Sequence, residues 1–149
     1  MSSWRNSYEI SVNGQPVTTW DGATWRSGGD FELNGQRYQV RSNAWGNTFS
    51  LTDERGMPIA SANRVGRRRW TVEAGGQTYH FQRTSIWRNE HELRVGGQRV
   101  GAVRQTSAWG GDLVADLPGL PMPVQIFVLG VVITMLNHQI AGAAAAAAS

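Results

Sequence analysis

The chain has 149 residues with 14 basic and 11 acidic side chains, a formal net charge of +3, seven tryptophans and no cysteine. A domain of this length buries enough surface to fold without a staple, and the lack of cysteine excludes thiol catalysis, cysteine-based zinc sites and a disulfide framework. Eighteen glycines in a chain that is 40% hydrophobic indicate many tight turns and favour β structure.

Turn signals recur about every 20 residues along the first hundred residues. They are Asn13-Gly14, Asn34-Gly35, Arg55-Gly56, Gly75-Gly76 and Gly96-Gly97. Asn-Gly and Gly-Gly supply the positive φ angles that both central residues of a type I′ turn require. The series therefore predicts successive antiparallel hairpins.

The alternation of apolar and polar residues around these turns supports the hairpins, because residues paired across a two-residue turn share one face of the sheet. Four turns pass this test. The expected inward residues are Ile10, Val12 and Val17 at the first turn, Phe31, Leu33, Tyr38 and Val40 at the second, Trp70, Val72, Ala74, Tyr79 and Phe81 at the fourth, and Leu93, Val95, Val100 and Ala102 at the fifth.

The segments between turns predict about twelve short strands in meander order, near residues 7–12, 15–20, 23–27, 30–34, 36–42, 47–53, 57–63, 68–74, 77–84, 91–95, 98–105 and 112–117. An open sheet of that size leaves two long edges, so closure into a barrel or a two-sheet sandwich is expected. The interior of such a barrel is too wide for its own side chains to fill. A further segment of the chain is therefore needed to fill the interior of the barrel.

The C-terminal segment suits that place, because residues 117–149 carry no formal charge. Pro121-Met-Pro123 favours a helix start, and a helix over residues 124–136 is apolar on every side, so it must be buried in protein or in lipid. Its strongly apolar stretch of about 13 residues is short for a membrane span of ~20 and favours a core helix. The alternative is a C-terminal tail anchor over residues 122–148. We expect one domain over residues 1–142, with a core helix at about 122–140 and an Ala-rich tail at 143–149.

The last predicted strand ends in Asp112-Leu-Val-Ala-Asp-Leu-Pro-Gly119 and leads directly into the apolar helix. This layout resembles the LURP-one-related proteins of the tubby C-terminal-like superfamily, to which phospholipid scramblases are similar. The resemblance implies a twelve-stranded antiparallel β-barrel that encloses a hydrophobic C-terminal α-helix. It also implies a lipid-related role. Scramblases carry an acidic calcium-binding segment and a cysteine cluster, and this chain has neither.

Arginine is the only basic residue type besides histidine, and its guanidinium group binds phosphate in a bidentate manner. The chain clusters Arg64, Arg67, Arg68 and Arg69 at one turn, and strand alternation places Arg67 and Arg69 on the polar face. A second pair, Arg94 and Arg99, is expected directly across a hairpin. The candidate anion-binding residues are Arg64, Arg67, Arg69, Arg94 and Arg99. The competing interpretation is a solvated face balanced by Glu73 and Glu92.

These patterns predict a non-enzymatic module that contacts anionic phospholipid headgroups, a phosphoinositide or a protein partner. No catalytic residue, cofactor or metal is expected, because the sequence has no phosphate-binding glycine loop and no nucleophile elbow. His91 is expected at a solvated strand start, pointing away from Glu90 and Glu92. A nucleic-acid-binding β-barrel is an alternative, since tryptophan can stack on bases, but a charge of +3 is small for it. The N-terminus lacks an apolar signal segment, so a cytoplasmic location, with or without peripheral attachment to a membrane, is expected.

Overall fold

The computed structural model describes residues 7–12, 15–21, 28–43, 45, 47–85, 90–105 and 113–148. Within them the chain forms eleven strands followed by one helix. The elements are β1 (Ser7–Val12), β2 (Gln15–Asp21), β3 (Gly28–Leu33), β4 (Gln36–Ser42), β5 (Thr48–Asp53), β6 (Pro58–Asn63), β7 (Arg69–Ala74), β8 (Gln77–Ser85), β9 (Glu90–Val95), β10 (Gln98–Gln105), β11 (Leu113–Asp116) and α1 (Met122–Ala148).

The strands form one antiparallel sheet in which every strand pairs with its neighbours in the sequence. Continuous ladders join the nine strands from β3 to β11. The β1–β2 hairpin joins them through the single pair Asp21 and Asp30. In the described part of the chain β1 and β11 do not pair, so the sheet is not closed. The mainly β class is confirmed, whereas a twelve-stranded barrel is not; the predicted strand at 23–27 lies outside the described residues.

The central hairpins have the predicted turns and registers. Asn34 and Gly35 have φ angles of 53° and 79°, and Gly75 and Gly76 have 60° and 78°, as type I′ turns require. Phe31 pairs with Tyr38, and five residue pairs from Ala74–Gln77 to Trp70–Phe81 follow the predicted order. Their inward side chains are buried or half-buried in the core.

The hairpin at Gly96-Gly97 leaves its predicted register after two pairs. Arg99 pairs with Arg94 as expected, but the next pair is Gly101 with Leu93, because Val100 forms a β-bulge. A one-residue shift moves each following side chain to the other face. Val100 therefore leaves the inward row and is 39% exposed, so the prediction that it faces inward was wrong, whereas Val95, two residues after the buried Leu93, keeps its register and is exposed at the end of β9. A bulge in the β1–β2 pair similarly matches Ile10 with Thr18 instead of Val17.

Helix α1 begins at Met122 as predicted and continues to Ala148, past the expected end near residue 140. Alanine is the best helix former, and one glycine inside a helix costs only about 1 kcal/mol, so Gly142 does not end it. Most side chains from Val124 to Thr134 are buried on all sides of the helix. They share one core with the inward side chains of the sheet, as a core helix requires.

The meander places its connections alternately at two ends of the sheet. We call the end with the turns at 34–35, 75–76 and 96–97 the hairpin end, and the end with the turns at 43–47 and 64–68 the arginine end. Strand β11 finishes at the hairpin end, and α1 begins after the five connecting residues 117–121.

Candidate anion-binding surface

The five predicted arginines fall into two groups on the structure. Arg64 and Arg67 lie in the turn between β6 and β7, and Arg69 is the first residue of β7. Arg94 and Arg99 form a cross-strand pair on β9 and β10. Strand β8 separates β7 from β9, so two strand spacings, about 10 Å, lie between the groups. The structure thus offers two separate basic sites.

The Arg94–Arg99 site is neutralised by carboxylates. Arg94 Nη1 lies 2.8 Å from Glu92 Oε1, and Arg99 Nη1 lies 3.3 Å from Glu92 Oε2. Arg99 Nη2 is also 3.4 Å from Glu90 Oε2, and Arg94 Nη2 donates a 2.7 Å hydrogen bond to the Gly97 carbonyl oxygen. Glu92 thus balances the charges of Arg94 and Arg99, as the interpretation of a solvated face expects. Glu73, the other expected balancing residue, makes no ion pair within the described residues.

The arginines in the turn between β6 and β7 differ from Arg94 and Arg99 in their exposure and in their ion pairs. Arg64 and Gly66 have φ angles of 61° and 95°, the Arg67 amide donates a 3.1 Å hydrogen bond to the Arg64 carbonyl oxygen, and the buried Val65 side chain anchors the turn in the core. All four arginines of residues 64–69 are exposed. Within the described chain none of them has an ion-pair partner.

A strand starting at residue 68 is predicted to turn the Arg68 side chain away from the polar face, so the predicted site does not include Arg68. The structure begins β7 one residue later, at Arg69, and Arg68 remains in the turn with an exposed side chain. Its carbonyl oxygen accepts a 2.8 Å hydrogen bond from the Arg83 amide. Arg68 therefore joins Arg64, Arg67 and Arg69, which we call the arginine turn.

A neighbouring turn carries a fully solvated tryptophan. Asn43 Oδ1 accepts hydrogen bonds from the amides of Asn47 and Thr48, at 3.1 and 3.2 Å, and Asn43 Nδ2 donates to Asn47 Oδ1 at 2.7 Å. This Asn-centred turn leaves the Trp45 side chain 84% exposed. The Val65 amide donates a 3.0 Å hydrogen bond to the Asn47 carbonyl oxygen, so this turn and the arginine turn are directly joined. Trp45 is not among the site residues predicted from the sequence.

A groove of about 400 Å³ lies on the outer face beside the edge strand β11. Its floor contains the small residues Gly101 and Ala102, and its other lining residues are Arg99, Val100, Arg104, Val114 and Asp116. Asp116 offsets one of the two guanidinium groups, and Arg99 is already paired with glutamates. The groove is therefore less basic than the arginine turn.

His91 lies in the core, so its predicted position at a solvated strand start was wrong. Because β9 begins at Glu90, His91 shares the inward face with Leu93 and is only 3% exposed. Its Nδ1 accepts a 3.0 Å hydrogen bond from Trp70 Nε1. Burial, and secondly the charge of Arg83, lowers the pKa of His91 to about 4. Among the described residues no group of three or more side chains is arranged to hold a metal ion.

Comparison with protein-family models, with curated proteins and with solved structures gives no match for this chain. In the part of the chain that is described, no helical segment has both the length and the apolar character needed to cross a bilayer.

Proposed function

We propose that this protein is a non-enzymatic module that binds anionic phospholipid surfaces through the arginine turn. The observation that carries the proposal is the presence of four exposed arginines within residues 64–69, none with an ion-pair partner among the described residues. Three other arginines are engaged: Arg37 pairs with Asp30 at 3.1 Å, and Arg94 and Arg99 pair with Glu92. Free guanidinium groups suit phosphate because they offer paired donors.

The proposal also includes the class of fold to which the sheet and the helix belong. We infer that the sheet is the wall of a tubby C-terminal-like barrel of the LURP-one-related type, wrapped around α1. Eleven antiparallel strands in meander order and a helix buried on all sides support this inference. In this arrangement the protein is cytoplasmic and attaches to the membrane peripherally, with the arginine end toward the lipid.

Sedimentation with vesicles tests the binding. The full chain is mixed with vesicles of phosphatidylcholine alone or with added phosphatidylserine, and we expect it to sediment only with the anionic vesicles. Each basic residue near an anionic surface contributes about 1 kcal/mol, so Arg67→Gln with Arg69→Gln should weaken the partition about 30-fold. Added salt should weaken wild-type binding, because it screens exposed charges.

The two basic sites provide a matched control. The double variant Arg94→Gln with Arg99→Gln removes the same two charges from the site that glutamates already neutralise, and it should keep nearly full binding. Equal losses in both double variants would show that only net charge matters and would contradict the site. If a DNA duplex competes for the protein as strongly as anionic vesicles do, this result would contradict a lipid-directed function and favour general binding of polyanions.

A further inference from the structure

We infer that Trp45 is the side chain that enters the membrane, so that the arginine end docks on an anionic bilayer with the Trp45 indole at the level between headgroups and acyl chains. This inference rests on the proposed function and specifies the orientation of binding. Tryptophan has an apolar body and one N–H donor, which suits it to this interfacial layer.

Trp45 is the most exposed large hydrophobic side chain among the described residues, at 84%. The next is Met57, at 60%, in a turn at the hairpin end that also contains Glu54 and Arg55 and so carries no net charge. Val95 is exposed at the same hairpin end. Val100 and Val114 are less exposed, at 39% and 42%, and line the groove that also contains Asp116. Trp45 thus combines the highest exposure with a position beside the arginine turn.

Hydrogen bonds join the two ends of the Trp45 turn before any lipid arrives. Three hydrogen bonds connect side-chain and backbone groups of Asn43, Asn47 and Thr48, and the Asn43 amide donates to the Thr48 carbonyl oxygen at 3.0 Å. Because these ends are already joined, less of the chain must be ordered when Trp45 binds, and this reduces the entropic cost of binding.

The hydrogen bond from the Val65 amide to the Asn47 carbonyl oxygen couples the indole to the arginines. Val65 is buried between Arg64 and Gly66, so both turns are anchored to the same part of the core. The guanidinium groups of the arginine turn and the Trp45 ring therefore approach a surface together. A surface that accepts both offers phosphate groups next to an apolar layer, which is the chemistry of an anionic phospholipid bilayer.

The experiment uses the full chain with vesicles of phosphatidylcholine and phosphatidylserine, and with soluble inositol hexakisphosphate as a probe of phosphate binding alone. We expect Trp45→Ala to weaken the vesicle partition about tenfold through the loss of apolar contact and to leave binding of the soluble probe unchanged. Met57→Ala, which shortens an exposed side chain at the hairpin end, should bind vesicles like the wild type. Brominated lipids should quench wild-type fluorescence more than that of Trp45→Phe, which keeps an aromatic ring in the turn.

The outcomes separate the two proposals. If the wild type fails to bind anionic vesicles, both the proposed function and this inference are wrong. If Trp45→Ala binds vesicles as tightly as the wild type, or brominated lipids quench the wild type and Trp45→Phe equally, the inference is overturned while the arginine turn can still bind headgroups. If Trp45→Ala loses the soluble probe and the vesicles equally, the indole contacts the phosphate group rather than the bilayer, and this also overturns insertion.

Discussion

Trp70 Nε1 donates a 3.0 Å hydrogen bond to His91 Nδ1 within the core. The two rings meet edge to face with their centroids 5.6 Å apart, and Trp70 also stacks on Phe81 at 4.5 Å. The bond satisfies one polar atom on each ring that burial would otherwise leave unpaired. It requires a neutral His91, because both nitrogens of a protonated imidazole are donors.

The burial of His91 beside Arg83 predicts a loss of stability in mild acid. The pKa of His91 falls from 6.5 in the unfolded chain to about 4 in the folded protein, so between these values the unfolded state binds more protons. The contribution is fully present above about pH 6.5, and about 3 kcal/mol is lost as the pH falls to 4. Urea unfolding followed by circular dichroism at several pH values measures the slope, and His91→Gln should flatten it.

The control for His91 is the exposed His80 on β8. His80→Gln should keep the pH slope of the wild type, and carboxylates elsewhere contribute equally to all three proteins. Parallel slopes for the wild type and His91→Gln would contradict a role for His91 in the acid sensitivity.

We expect Glu92 to stabilise the fold, because two like charges face each other beside it. Arg94 and Arg99 are a direct cross-strand pair, and each carboxylate oxygen of Glu92 contacts one of them. Glu92→Gln leaves the opposed guanidinium groups with less compensation and should lower the free energy of unfolding by about 1 kcal/mol. Urea unfolding in low and high salt should show the deficit shrinking with salt. Glu73→Gln, at an exposed position, should change stability by less than about 0.5 kcal/mol.

The hairpins could be predicted from sequence because their determinants are local. At Asn34-Gly35 the turn residues tolerate positive φ, and the alternation on both strands agrees with a single register. The buried helix could be predicted because its composition is apolar on every side, whichever strands surround it. The arginine turn could also be found, since four arginines in six residues remain exposed under almost any placement of a turn.

The features that escaped prediction depend on contacts between distant residues. The bulge at Val100 brings Gly101 against the end of β11, which local alternation does not report. The neutralisation of Arg99 needs Glu90, nine residues away and reached only once β9 and β10 pair. The 84% exposure of Trp45 could not be predicted, because the burial of a tryptophan in a turn depends on which distant parts of the chain pack against it.

Gly101 should tolerate no side chain, because strand β11 passes directly over it. A Cβ atom at this position would collide with the Asp116 carbonyl oxygen and lie 3.1 Å from Pro118 Cδ. Gly101→Ala must push β11 away and should lower the free energy of unfolding by about 2 kcal/mol. Hydrogen exchange should show the loss concentrated in β10 and β11. Gly97→Ala, where open space surrounds a glycine with φ of 82°, should cost about 1 kcal/mol without that localisation.

Phe127 tests whether the apolar segment belongs to the core or to a membrane. Its side chain is completely buried in the cluster that also contains Trp70 and Leu51. For a core helix, Phe127→Ala should remove about 3 to 5 kcal/mol from the free energy of unfolding, a large share of the 5 to 15 kcal/mol typical of a domain. A tail anchor predicts no change, because the helix would lie outside the folded sheet. Urea unfolding of the purified full chain decides between these results.

Deletion of residues 118–149 extends the same test to the whole helix. The helix supplies seven fully or almost fully buried aliphatic and aromatic side chains, Val124, Ile126, Phe127, Val128, Val131, Val132 and Ile133. Without them the inward faces of β5, β6 and β11 lose their packing partner, and the sheet should lose its cooperative unfolding transition and expose apolar surface. An anchored domain should instead leave a soluble remainder with an unchanged transition. A truncated protein that unfolds at the wild-type urea midpoint would contradict the core helix.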